Sequence, residues 1–268
     1  MIYAFYTNKT YSICQKAARG GHLELLQGVR ALGCPWDTET CSEAACDGHL
    51  KVLQWTRANG CPWGIETCSE AARGDHLEVL QWACTNGCAW DTNTYRKAAV
   101  GGHLEVLHWV RAHGCPWNAE TCCCAAHGGH LKVLQWACAN GCLWDDRTCR
   151  LVALCGHLEV LLWARANGCP WDDSTCSYAA WGGHMEVMQW ARTNGCPWDP
   201  ETCSEAARGG HLKVLQWARV NGCPWNVSTR SKAARGNLKV LQWTRANGSG
   251  GHMEVLQWAR ANGCPEPE

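Results

Sequence analysis

Cys41-Ser42-Glu43-Ala44-Ala45-Cys46-Asp47-Gly48-His49-Leu50-Lys51-Val52-Leu53 is the stretch that decides the fold. A short helix closes at Asp47-Gly48, and a more apolar helix opens at His49. A cleaner copy is Ala206-Ala207-Arg208-Gly209-Gly210-His211-Leu212-Lys213-Val214-Leu215. The same histidine recurs at His22, His49, His76, His103, His130, His157, His184 and His211, each 27 residues after the one before. A fixed period of roughly 20–50 residues marks a solenoid, in which each unit buries its apolar face against its neighbours. Such an array makes a long surface instead of an enclosed pocket. Function is therefore to be sought in what differs between units.

One unit spans 37–63. Asp37 stands at a helix N-cap, and Thr10, Gly64, Asp91, Asn118, Asp145, Asp172, Asp199 and Asn226 occupy the equivalent positions. All are residue types that satisfy or accommodate the first free N–H groups of a helix. The spacing predicts a first helix from Thr38 to about Cys46 and a second from about His49 to Asn59. Asn59-Gly60 supplies a left-handed cap, and Pro62 prevents continuation. The second helix reads as apolar over a broad arc, Leu50, Val52, Leu53, Trp55 and Thr56, wider than an ordinary amphipathic stripe.

The first helix separates scaffold from variation. Thr40, Cys41, Ala44 and Ala45 hardly change between units and lie on one side of a 3.6-residue helix. Small residues there permit close helix contact. The changeable positions are those of Glu39, Ser42, Glu43 and Cys46, which form a stripe on the opposite side. Exposed positions drift, which accounts for charges such as Glu43, Glu70, Glu205 and Lys232. On that reading Ser204 and Glu205 face water and tolerate alanine.

The Ala44-Ala45-Cys46-Asp47-Gly48-His49-Leu50-Lys51-Val52-Leu53 core and its copy from Ala206 resemble the ankyrin repeat, continuing into an Asn-Gly-Cys that stands for that family's Ala-Gly-Ala. The likeness covers about 11–247. It is to a short, Trp- and Cys-rich form of the kind common in large DNA viruses, amoebae, algae and oomycetes. The resemblance implies an all-α, ankyrin-like α-solenoid of nine stacked helix-turn-helix units, curved, with shortened or absent β-hairpin fingers. Two departures stand out. The family period is about 33, so the finger is cut to a tight Cys-Pro-Trp-Asp turn. The Thr-Pro-Leu-His tetrapeptide is replaced by Glu-Thr-Cys-Ser, which puts the hydrogen bonds of its histidine between repeats in question.

Net charge is zero, with 24 basic and 24 acidic residues, so there is no basic field for nucleic acid or acidic lipid. No apolar run approaches the roughly 18–20 residues of a membrane span, and the first residues lack a secretory pattern. These features predict an intracellular, cytoplasmic, monomeric chain without cofactor. The 22 cysteines are then thiols. They form two ladders: Cys34, Cys61, Cys88, Cys115, Cys142, Cys169, Cys196 and Cys223 after glycine, and Cys41, Cys68, Cys122, Cys149, Cys176 and Cys203 after threonine. With His49 they invite a zinc reading, but a structural zinc needs four convergent ligands. Buried cysteine as a small hydrophobe is the simpler account. The loop tryptophans, Trp36, Trp63 and Trp117 among them, serve either as stacking platforms for sugars or bases or as packing over the helix ends. The recurrent histidine reads as a residue bonded to nearby backbone, because no unique carboxylate or nucleophile accompanies it.

The domain reading is a segment 1–10, an array 11–247, and a truncated terminal repeat 248–268. At the C-terminal end Arg230 stands where cysteine is usual and Asn237 replaces the histidine. The join after Gly248 omits a first helix, which predicts a frayed terminus. In the middle of the array the stripe turns apolar and aromatic: Cys123, Cys124 and His127, then Arg150, Leu151 and Leu154, then Ser177, Tyr178 and Trp181. Helices about 10 Å apart would join these into one patch, and such patches mark contact sites. The chain thus reads as a non-catalytic protein-binding scaffold with an unidentified protein partner. The alternative is a thiol- or zinc-handling cysteine-rich protein.

Overall fold

The structure, a computed structural model, describes residues 12–118, 120–144, 147–225, 228–236 and 238–247. Expectations for 1–10, for Thr10, Asp145, Asn226 and Asn237, and for 248–268 fall outside them. No strand occurs among the described residues. The chain divides into two compact units, Met1–Leu143 and Trp144–Glu268. Among the described residues the first holds five helix pairs and the second four. Those of the first are α1 (12–19) with α2 (Leu23–Ala31), α3 (Thr38–Cys46) with α4 (Leu50–Ala58), α5 (Ile65–Arg73) with α6 (Leu77–Thr85), α7 (Thr92–Gly101) with α8 (Leu104–Ala112), and α9 (Glu120–His127) with α10 (Leu131–Ala139). Those of the second are α11 (Arg147–Cys155) with α12 (Leu158–Ala166), α13 (Ser174–Gly182) with α14 (Met185–Thr193), α15 (Thr202–Gly209) with α16 (Leu212–Val220), and α17 (Ser228–Gly236) with α18 (Leu238–Asn247).

The caps set these bounds. Asp37 is extended, its carboxylate accepts from the Thr40 N–H at 3.1 Å, and Thr40 Oγ1 accepts from the Asp37 N–H at 3.4 Å. This reciprocal pair satisfies two free donors at once. Asp91 accepts from the Asn93 N–H at 2.9 Å, and Asn118 from the Glu120 N–H at 3.0 Å. Where α3 ends, Gly48 takes φ +77°, and the His49 N–H donates to Ala44 O at 2.8 Å. At the end of α4 the Cys61 N–H reaches back to Thr56 O at 2.9 Å, across Gly60 at φ +81°. Both are glycine-dependent closures that feed carbonyls left open at a helix end.

Successive first helices carry the tightest packing. In the first unit α3 packs on α5, α5 on α7 and α7 on α9; in the second α11 packs on α13, α13 on α15 and α15 on α17. The conserved side explains it, because Thr40, Cys41, Ala44 and Ala45 have no exposed surface and lack the bulk to hold helices apart. The second helices bury less than their sequence suggests. Only Val52, Leu53 and Thr56 of α4 are buried, while Leu50 and Trp55 are half-buried. At the C-terminal end Arg230, in the cysteine position, is exposed.

The recurrent histidine sits at the N-cap of every second helix from α2 to α16, yet its ring caps none of them. Nε2 instead donates to a carbonyl of the preceding unit: His49 to Arg19 O at 2.8 Å, His103 to Arg73 O at 2.9 Å, and His130 to Val100 O at 2.8 Å. The bond is not to nearby backbone, as the sequence suggested, but to a residue 30 positions earlier. The chain therefore keeps a histidine bond between repeats without the Thr-Pro-Leu-His tetrapeptide.

Candidate functional site

The variable stripe is ordered by ion pairs and lined with shallow grooves. In the second unit a groove of about 360 Å³ runs along α11, α13 and α15, lined by Arg150, Ser174, Ser177, Tyr178, Trp181, Asp199, Glu201, Glu205 and Arg208. Tyr178 meets Trp181 edge to face, 6.1 Å between ring centroids, and the Arg208 guanidinium lies 4.8 Å from the Trp181 ring centroid. Such an arrangement holds the indole by its quadrupole. Lys232 Nζ pairs with two of its carboxylates, 2.7 Å from Glu201 Oε2 and 2.8 Å from Glu205 Oε1. That hydrogen bond from Lys232, with a second from Ser204, holds the Glu201 carboxyl down at about 2.

The first unit carries a groove of about 280 Å³ at the same helical positions, between Arg19, Glu39, Ser42, Glu43, Cys46, Glu66, Glu70 and Arg73. Here charge replaces the aromatics. Arg19 pairs with Glu43 at 3.4 Å, and Glu70 bonds Arg73 and Lys97, both at 2.6 Å. Lys97 with Glu70 and Ser69 repeats the pattern of Lys232 with Glu205 and Ser204. These charges tie neighbouring first helices together, so the reading of Glu70, Glu205 and Lys232 as drift is corrected.

Of the residues singled out from sequence, Cys123, Cys124 and His127 lie on α9 in the first unit, and the other six lie on α11 and α13 in the second. The second-unit groove brings together Arg150, Ser177, Tyr178 and Trp181. His127 is exposed, and Cys124, Arg150, Leu151, Leu154, Tyr178 and Trp181 are half-buried. Cys123 and Ser177 are buried, at 5% and 3% exposure, so they are floor and not surface. The serine at this position bends back to its own helix, Ser177 Oγ donating to Ser174 O at 2.9 Å and Ser204 Oγ to Glu201 O at 2.8 Å. The next first helix then covers it. Ser204, expected to be tolerant, also accepts from Lys232 at 3.1 Å. Ser204→Ala should therefore cost about 1 kcal/mol, the size of one buried hydrogen bond. Urea midpoints check this, and a midpoint equal to the parent's would return Ser204 to the wet face.

The missed element is the Glu–Lys register. Glutamate at one repeat and lysine exactly one repeat later was legible as Glu70 with Lys97 and as Glu205 with Lys232. The pairing becomes meaningful only once adjacent first helices are known to touch.

The cysteine ladders meet in repeats that carry both, though Tyr95 and Arg230 take the first-helix position in two others. Cys149 and Cys169 sulfurs are 3.1 Å apart, and the Cys68 thiol donates to Cys88 O at 3.9 Å. The loop thiols also donate to a carbonyl just before the first helix, Cys61 to Asp37 O and Cys196 to Asp172 O, both at 3.3 Å. No described cysteine is in a disulfide. Burial pushes the Cys115 thiol up to about 12. Among the described residues no group of three or more His, Cys, Asp or Glu is disposed to hold a metal ion. Each loop tryptophan packs against a tryptophan of the following second helix, Trp36 on Trp55 at 5.7 Å and Trp63 on Trp82 at 5.8 Å. The Arg30 and Arg57 guanidiniums also lie over the Trp36 and Trp63 rings, 4.0 and 4.1 Å from their centroids. Rings held by a second indole, and at Trp36 and Trp63 by a guanidinium as well, are packing elements and not free platforms.

The repeating element is a helix pair closed by Gly-His-Leu, with tightly apposed first helices and a histidine bond to the preceding pair. In fold the chain resembles ankyrin repeats. The human ASB11 ankyrin repeat domain is similar with a TM-score of 0.49 and 17% sequence identity, over 59% of this chain and 84% of that one. No protein-family model and no curated protein matches the sequence. No described helix is long and apolar enough to cross a membrane.

Proposed function

We propose that this ankyrin-like chain is a non-catalytic protein-binding scaffold that reads its partner with the variable face of the first helices. The observation that supports this is the groove of the second unit, where Tyr178 and Trp181 stand at stripe positions that hold Glu70 paired with Lys97 in one repeat and Glu205 paired with Lys232 in another. Tyrosine and tryptophan bury much area for little lost rotamer freedom, which makes them the usual anchors of an interface. Cys124 and His127, and Leu151 and Leu154, extend the proposed surface within their own units.

The test begins with proximity labelling to identify a partner, followed by measured affinities. The double variant Tyr178→Glu, Trp181→Cys places there the residues Glu43 and Cys46 that another unit carries. Cys46 already accommodates an arginine, since Arg73 donates to its sulfur at 2.8 Å as Arg208 covers Trp181. Circular dichroism and melting should match the parent. Partner affinity should fall at least about tenfold, or about 1.4 kcal/mol. Unchanged affinity would remove the binding site from this groove.

A further inference from the structure

Two units depart from the rest in a correlated way. Where the others place an arginine on the second helix (Arg30, Arg57, Arg111, Arg165, Arg192 and Arg219), these carry Cys84 and Cys138. Their loops also lose the proline, reading Cys88-Ala89-Trp90 and Cys142-Leu143-Trp144. The arginine covers the loop in the other units: Arg57 stacks on Trp63 and donates to Cys61 O, and Arg165 does the same with Trp171 and Cys169 O. Without it, a third thiol stands beside the ladder pair. Cys84 Sγ lies 3.7 Å from Cys68 Sγ, and Cys138 Sγ lies 4.0 Å from Cys122 Sγ. The inner thiols Cys68 and Cys122 have no exposed surface, whereas Cys84 and Cys138 are half-buried.

Proximity alone does not make these pairs special, because Cys149 and Cys169 are closer at 3.1 Å. Access does. Both of those sulfurs have no exposed surface, and a thiol without access is inert whatever its neighbour. The hydrogen bond from the Cys122 thiol also holds Cys138 below the ordinary thiol range, which favours the nucleophilic form.

We propose that Cys138 with Cys122, and Cys84 with Cys68, are oxidation sites in which a hydroperoxide oxidises the half-exposed thiol and the buried one closes a disulfide across the helix hairpin. In the first step the sulfur of Cys138 takes the distal oxygen of hydrogen peroxide, giving the sulfenic acid and one water. In the second the Cys122 sulfur attacks the sulfenic sulfur, the S–O bond breaks, and a second water leaves with the thiol proton. Two thiols and one peroxide thus give one disulfide and two waters. Rotation about the side-chain bonds brings the sulfurs from 4.0 Å to about 2.0 Å. The link ties α9 to α10, the pair that presents Cys124 and His127.

The test treats the reduced full chain with hydrogen peroxide, blocks the remaining thiols and maps tryptic peptides by mass spectrometry. Peptides carrying Cys122 and Cys138 should cross-link at least about tenfold faster than those carrying Cys149 and Cys169. Cys138→Ser and Cys122→Ala should each abolish that link, and Cys142→Ser should leave it. Cys84→Ser should abolish the link to the Cys68 peptide. Melting curves under reductant verify that the variants fold. A link that survives Cys138→Ser, equal oxidation of Cys149 with Cys169, or no cross-link at all overturns the proposal.

Discussion

Gly183→Ala is expected to destabilise the chain by about 2–4 kcal/mol, whereas Gly195→Ala should cost only about 1 kcal/mol. Both glycines are left-handed, at φ +80° and +84°, so both substitutions meet the same backbone penalty. They differ in what a side chain would touch. Nothing lies within 4 Å of a Cβ built at Gly195, while one at Gly183 overlaps the ring of His211. The difference between the variants therefore isolates the contact of one repeat's histidine with the glycine of the repeat before it. Urea midpoints measure it. Adding His211→Ala to Gly183→Ala should recover part of the loss, and this coupling is what a double-mutant cycle reads. Equal midpoints for Gly183→Ala and Gly195→Ala would mean that the ring does not occupy that space.

Ala206→Leu should cost about 1–3 kcal/mol through overpacking, while Ala166→Leu should stay within roughly 0.5 kcal/mol. Ala206 lies on α15, a first helix packed against α13 and α17, and has no exposed surface. Ala166 ends α12 and is exposed. Three added heavy atoms at Ala206 have no room unless neighbouring first helices separate. If thermal melts placed the two variants together, the close apposition of first helices would be wrong.

Much of the fold was legible because each unit carries its own local punctuation. Asp37 and Asp91 cap where expected, Gly48 and Gly60 close helices where expected, and α3 begins and ends on the residues read from the sequence. The broad apolar arc of the second helix was not borne out. Leu50 and Trp55 are half-buried because no neighbouring helix covers them as fully as it covers Val52 and Leu53. The candidate site was legible in type but not in depth. The stripe rule placed Ser177 and Cys123 beside Tyr178 and Cys124, yet one step around the helix puts them beneath the next first helix.

What the sequence by itself determined is the unit: two short helices, their caps, and the segregation of small constant residues from variable ones. These follow from backbone geometry within about a dozen residues, where capping and periodicity act. What only the tertiary structure decided is every relation 16 or more residues apart. His49 bonds Arg19 O, Lys97 bonds Glu70, and Cys149 meets Cys169. The half-buried thiols Cys84 and Cys138 stand beside Cys68 and Cys122. The physical reason is that a strict repeat places many equivalent partners at every offset. Only the separation between packed helices, set by alanine and cysteine at their contact, selects which of them touch.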